Sequence, residues 1–109
     1  MSPLRVNLGG EGEIPGTINQ QPLFALRPSW RSQGGQTVAE LQAAGHVMVI
    51  ADNRSLPFAT DSVDEVITNN VPIDKWTGWG PGAQRSEIYR ILKPGGQWFR
   101  DNVLEHTKP

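Results

Sequence analysis

Apolar residues in this chain come in short blocks, each closed by glycine or proline. Leu4-Arg5-Val6-Asn7-Leu8 is a β-type run that breaks at Gly9-Gly10-Glu11-Gly12, which predicts a first strand ending in a glycine-rich turn. Pro15-Gly16 turns the chain into Thr17-Ile18-Asn19-Gln20, a second strand stopped by Pro22, and the gap is too short for a full helix, so a loop joins the two strands. Thr37 to Ala44 carries apolar residues at helical spacing before Gly45. His46-Val47-Met48-Val49-Ile50-Ala51-Asp52 is a continuous apolar run ending on a carboxylate, the pattern of a buried parallel strand. Turns at Leu56-Pro57-Phe58 and Asp61-Ser62 lead into a fourth strand, Val63 to Asn69. Ala83 to Leu92 places Ile88, Ile91 and Leu92 on one helical face, and Lys93-Pro94-Gly95-Gly96 ends that helix. Gln97 to Val103 is a fifth strand, and residues 105–109 form a tail.

Strands and helices alternating at this spacing predict an α/β fold, a mostly parallel five-stranded sheet flanked by helices with right-handed crossovers. Ligands of such sheets sit at the carboxyl ends of the strands. The 109 residues, 37% hydrophobic, suffice for a single domain over residues 1–109 with one core. A net charge of -1 provides no global basic field, so nucleic acid would be met only through local contacts. Arg27, Trp30 and Arg31 form one such local cluster, in a stretch that reads as solvated loop. No window approaches the roughly 20 apolar residues that span a bilayer, and Met1 to Arg5 lacks a signal peptide's apolar core. The expectation is a soluble protein without a membrane partner, cytoplasmic or delivered to a target cell's cytoplasm. With no cysteine, and with His46 and His106 as the two histidines, no metal site is expected.

Three segments carry a resemblance: Val6-Asn7-Leu8-Gly9-Gly10-Glu11-Gly12, then Asp52 to Val66 with its Leu56-Pro57-Phe58 turn, then Arg90-Ile91-Leu92-Lys93-Pro94-Gly95-Gly96. In order and spacing they resemble class I, Rossmann-like S-adenosylmethionine-dependent methyltransferases. The resemblance implies S-adenosylmethionine as cofactor and an unidentified methyl acceptor as partner. It also implies a minimal or truncated version of the fold, without the family's N-terminal cap and last two strands. Cofactor-binding positions under it are Asn7, Gly9, Gly10, Glu11, Gly12, Gln21, Asp52, Asn53, Leu56, Phe58 and Asn69. Asp52 would accept a hydrogen bond from the adenine amino group, the Asn53 backbone would meet a ring nitrogen, and Leu56 or Phe58 would pack on the base. Glycines after the first strand let backbone approach a ligand where a β-carbon would intrude.

This chain departs from the family at two of these positions. Glu11 stands where a second glycine is usual, and Gln21 where a carboxylate usually meets the ribose hydroxyls; a neutral amide forms bonds about half as strong as a charged group does. For catalysis, Asn70-Val71-Pro72-Ile73 is similar to the N-x-P-aromatic motif of nitrogen methylases, with Ile73 replacing the aromatic. Asn70 and Asp74 are the candidate catalytic residues, Asp74 as base, and Trp76 and Trp79 are candidates for a closing loop. Two other readings keep the fold. One is a C-terminal toxin module of a bacterial polymorphic secreted protein, held by an immunity protein. The other is a binding domain that has lost turnover.

Overall fold

The structure, a computed structural model, describes residues 3–73 and 82–109. Asp74, Trp76 and Trp79 lie outside the described residues. Six strands form one sheet: β1 (Arg5–Leu8), β2 (Ile18–Gln21), β3 (Val47–Ile50), β4 (Val63–Thr68), β5 (Leu92–Arg100) and β6 (Val103–Thr107). Their order is β3-β2-β1-β4-β5-β6, and every neighbouring pair is parallel except β5 with β6. Among the described residues there are two α-helices, α1 (Val38–Ala43) and α2 (Arg85–Ile91), together with a 3-10 turn at Leu23–Leu26.

β1 is central, and three of its four residues, Val6, Asn7 and Leu8, are buried. Val6 stands opposite Ile18 and Val66, and Val66 in turn opposite Trp98, so these side chains share one face. The predicted helical stripe Ile88, Ile91 and Leu92 is fully buried with Val6, Leu8, Val66 and Trp98, and Leu56, Ile73 and Ala83 complete that core. The Trp98 indole N–H donates to the Thr68 hydroxyl at 3.0 Å, which satisfies the one polar atom of the core's largest side chain. α1 begins with a capping box, Thr37 Oγ1 accepting from the Glu40 amide while the Glu40 carboxylate accepts from the Thr37 amide, and it buries Leu41.

The sheet differs from the five-stranded expectation at its far end. Asp101 and Asn102 both have positive φ, 50° and 67°, and pair Arg100 with Val103 across a two-residue turn. A type I′ hairpin needs left-handed backbone at both central positions, and Asp and Asn tolerate it better than other non-glycine residues. The fifth strand therefore ends at Arg100, and residues expected to be a tail form β6, an antiparallel sixth strand. Lys93 to Gly96 do end α2, but they lie in an irregularity of β5, where Val63 pairs Leu92 and Glu65 pairs Gln97. Lys108 then fastens the terminus: its amide donates to the Gly96 carbonyl at 2.9 Å and its ammonium to Asp61 at 2.5 Å. β3 lies at the sheet edge, with Val47 exposed, and so is not buried on both sides.

Candidate functional site

A cavity of about 460 Å³ opens at the carboxyl ends of β1, β2 and β4. One wall is made by Gly9, Glu11, Glu13, Gln20 and Gln21; another by Asn69, Asn70, Val71 and Pro72 after β4; the third by Phe24, Trp30, Arg31, Ser32 and Gln33, and Asn53, in the turn after β3, also lines it. β2 flanks β1 on one side and β4 on the other, so the cavity stands where the strand order reverses, the usual ligand position in open α/β sheets.

The loop that walls it is held by a ladder of amide side chains. The Glu13 carboxylate accepts from Asn7 Nδ2 at 2.6 Å and from the Glu11 amide at 2.9 Å, which closes residues 9–13 into a tight arch. Asn19 Oδ1 accepts from the Gly12 amide at 3.1 Å while its Nδ2 donates to the Val47 carbonyl at 3.1 Å. Gln21 Nε2 donates to the Gly10 carbonyl at 3.1 Å, and the Gly9 amide donates to the Gln20 carbonyl at 2.7 Å. Gln20 Nε2 reaches further, donating to the Ala51 carbonyl and to Asn53 Oδ1, both at 2.9 Å. The polar run Asn19-Gln20-Gln21 is thus buried because the loop offers it both backbone donors and backbone acceptors, and only an amide side chain answers both. Among the described residues no buried side-chain polar atom is left without a partner.

Glycine is required inside this arch. A β-carbon at Gly10 would sit against Asn19 Oδ1 and 2.7 Å from the Asn7 carbonyl oxygen, and backbone cannot swing aside as a side chain can. Gly12 has φ 86° and packs on the His46 ring.

Burial pushes the Glu11 carboxyl above the usual glutamate range, reinforced by the neighbouring Glu13 charge and opposed by the Gln33 amide, which donates to Glu11 at 3.1 Å. Asp52 goes the other way. The Arg54 guanidinium grips both of its oxygens, at 3.0 and 2.7 Å, and the Arg54 amide donates at 2.8 Å, so its carboxyl is lowered to about 2. The Leu56-Pro57-Phe58 turn is fixed to α2: Glu87 accepts from the Leu56 amide at 2.7 Å, and Arg90 donates to the Leu56 and Phe58 carbonyls while pairing with Glu87.

Of the residues expected in the site, Gly9, Glu11, Gln21, Asn53, Asn69 and Asn70 line the cavity together. Asn7, Gly10 and Gly12 shape the loop from behind rather than facing it. Asp52, Leu56 and Phe58 are not in the lining: Asp52 is turned into its own Asx turn with Arg54, Leu56 is 5% exposed in the α2 core, and Phe58 packs against that core. Gln21, in the lining, donates its amide nitrogen to the Gly10 carbonyl. Asn70 adopts φ 55°, and its amide donates to Asp101 Oδ1 at 2.8 Å, so the hairpin turn braces the segment after β4. The Pro72 carbonyl accepts from the Ala83 amide at 2.8 Å.

Sequence reasoning missed Glu13, Gln20, Phe24, Ser32 and Gln33 as site residues. The signal for Gln20 was present, since three consecutive amides in a β-run have no apolar core to serve. Ser32 and Gln33 reach the cavity across a long sequence separation, the Gln33 amide donating to Glu11, which no local pattern encodes. Comparison of the chain with protein-family models, with curated proteins and with solved structures gives no match. Among the described residues no helix is long and apolar enough to cross a membrane.

Proposed function

We propose that the chain is a Rossmann-like domain that binds S-adenosylmethionine in the cavity at the ends of β1, β2 and β4 and presents its methyl group to an acceptor. One observation carries this reading: a glycine-dependent arch walls a ligand-sized cavity at the point of strand-order reversal, with the segment after β4 on its opposite side. The three sequence segments that resemble class I methyltransferases fall on that arch, on the turn after β3 and on the end of α2.

The residues present fit the group at its cationic end. Glu11 and Glu13 put carboxylates on the cavity wall, suited to the ammonium and sulfonium of the cofactor. At the base end, Asn69 lines the wall after β4 with an amide suited to a heterocycle edge, while Asn53 has its Oδ1 held by Gln20 and Asp52 is held by Arg54. When bound, S-adenosylmethionine supplies an electrophilic methyl on sulfur. The chain's own contribution is then positioning and exclusion of water: the amide of Asn70, set by Asp101, faces the acceptor, and Trp30 and Phe24 cover the cavity from the other side.

Titration calorimetry with S-adenosylmethionine and S-adenosylhomocysteine tests this. Wild type is expected to bind both at millimolar concentration or better, Glu11→Lys to weaken binding of S-adenosylmethionine at least about tenfold, and Asp52→Ala to leave it within about twofold. No heat with either ligand at millimolar concentration rejects the proposal.

A further inference from the structure

A second cavity, of about 520 Å³, adjoins the first and shares Phe24, Trp30 and Arg31 with it. Arg27 and Ser29 complete its lining, so it holds two aromatic rings, two guanidinium groups, a hydroxyl and no carboxylate. Backbone bonds fix the spacing of these side chains. The 3-10 turn closes with the Arg27 amide donating to the Phe24 carbonyl at 3.0 Å, and the next turn with the Trp30 amide donating to the Arg27 carbonyl at 3.0 Å. Arg31 is oriented by Nη1 alone, which donates to the Pro28 and Trp30 carbonyls at 2.8 and 2.7 Å. Its Nε and Nη2 edge remains the pair that meets an anion's oxygens side by side. The acid that feels Arg31, Glu40, is itself engaged by the Thr37 cap.

We propose that this groove binds a nucleotide, with the base stacked on Trp30 and the phosphate held by Arg27 and Arg31. The chemistry selects that ligand. An indole face with adjoining guanidinium groups suits an aromatic ring that carries negative charge, and the lack of a carboxylate in the lining disfavours cations. Because Phe24, Trp30 and Arg31 line both cavities, a base stacked on Trp30 lies next to the cavity proposed for the methyl donor. Trp30 thereby supplies the stacking surface that Ile73, buried in the core, does not. Calling this base the methyl acceptor rests on the cofactor reading above; its binding does not.

The test is calorimetry of the full chain with nucleoside monophosphates and the matching nucleosides, and fluorescence anisotropy with a short single-stranded oligonucleotide. Monophosphates are expected to bind at least about tenfold more tightly than nucleosides, with affinity falling as salt rises. Arg27→Glu with Arg31→Glu is expected to abolish the preference for phosphate, Trp30→Ala to weaken all ligands about tenfold, and Trp30→Phe to restore most of the loss. Both arginines are exposed, so the double variant keeps the fold, checked by its circular dichroism. A binding mononucleotide points to a free nucleotide as the source, and binding of the oligonucleotide alone to a strand; either supports the site. Equal, measurable binding of nucleosides and monophosphates, or no binding of nucleoside, monophosphate or oligonucleotide at millimolar concentration, overturns it. S-adenosylmethionine binding measured on Arg27→Glu alone separates the two proposals, since Arg27 lines the groove and not the first cavity and its replacement should leave cofactor binding in place.

Discussion

Replacing Gln20 by methionine removes the side chain that ties β2 to the turn after β3, with little change in volume. Gln20 is 1% exposed, and its Nε2 donates to a buried acceptor, Asn53 Oδ1, and to the part-buried Ala51 carbonyl. Stranding a buried acceptor costs about 1–3 kcal/mol, while the carbonyl, within reach of water, loses about 0.5–1.5 kcal/mol. Burial of the thioether returns on the order of 1 kcal/mol. The net loss of about 2 kcal/mol is large against a total stability of about 5–15 kcal/mol, and for a chain of this size lowers the melting temperature by about 8–15 °C. Urea denaturation followed by circular dichroism measures it, with the slope expected to be unchanged and the midpoint lowered. Gln20→Glu should be worse at neutral pH, because an ionised carboxylate then faces two acceptors. Burial raises that carboxyl in the folded state, so the deficit should shrink as pH falls through the raised value. A Gln20→Met protein with the wild-type midpoint, within about 0.5 kcal/mol, refutes the bridging role.

Gly10→Ala should destabilise by about 1–3 kcal/mol, as overpacking against a fixed carbonyl does, and should weaken any ligand of the first cavity; an unchanged melting temperature would show that the arch has room. Glu11→Gln keeps an oxygen to accept the Gln33 amide but removes a charge whose carboxyl is raised in the folded state. Such a group costs stability at neutral pH and recovers it as pH falls through the raised value, so the variant should melt above wild type at pH 7, and the gap should close in acid. Arg54→Ala should let the Asp52 carboxyl climb from about 2 toward the ordinary aspartate range, read by carbon-detected magnetic resonance titration. The pair's stabilisation is present above the ordinary aspartate value and lost as pH falls through about 2. As Arg54 is mostly exposed, solvent screening should keep the variant's loss of stability at pH 7 small.

Local chemistry was enough to place most elements. Thr37 and Glu40 spell a capping box, Gly45 ends α1, and Ile88, Ile91 and Leu92 recur at the spacing that buries one helical face. The alternation of these elements dictated a mostly parallel sheet, and the glycines after β1 marked the end at which the cavity opens. The Asp101-Asn102 turn was also legible, but a run of β-formers on both sides of it reads as one strand unless the left-handed preference of that dipeptide is weighed.

Tertiary structure decided what faces what. Asp52 has the residue type a ligand would want, yet Arg54 grips both of its oxygens, and Gln21 spends its amide nitrogen on the Gly10 carbonyl. Leu56 and Phe58 are apolar enough to cover a base, yet Glu87 and Arg90 draw their turn onto α2. Conversely, Ser32, Gln33 and Trp30 line the cavity beside Glu11, which the Gln33 amide reaches across 22 positions of sequence. Hydrophobic period and turn chemistry act over a few residues and are written in the sequence. A polar side chain's partner is set by whichever donor or acceptor the folded chain brings within about 3 Å of it, and that distance exists only once the sheet has formed.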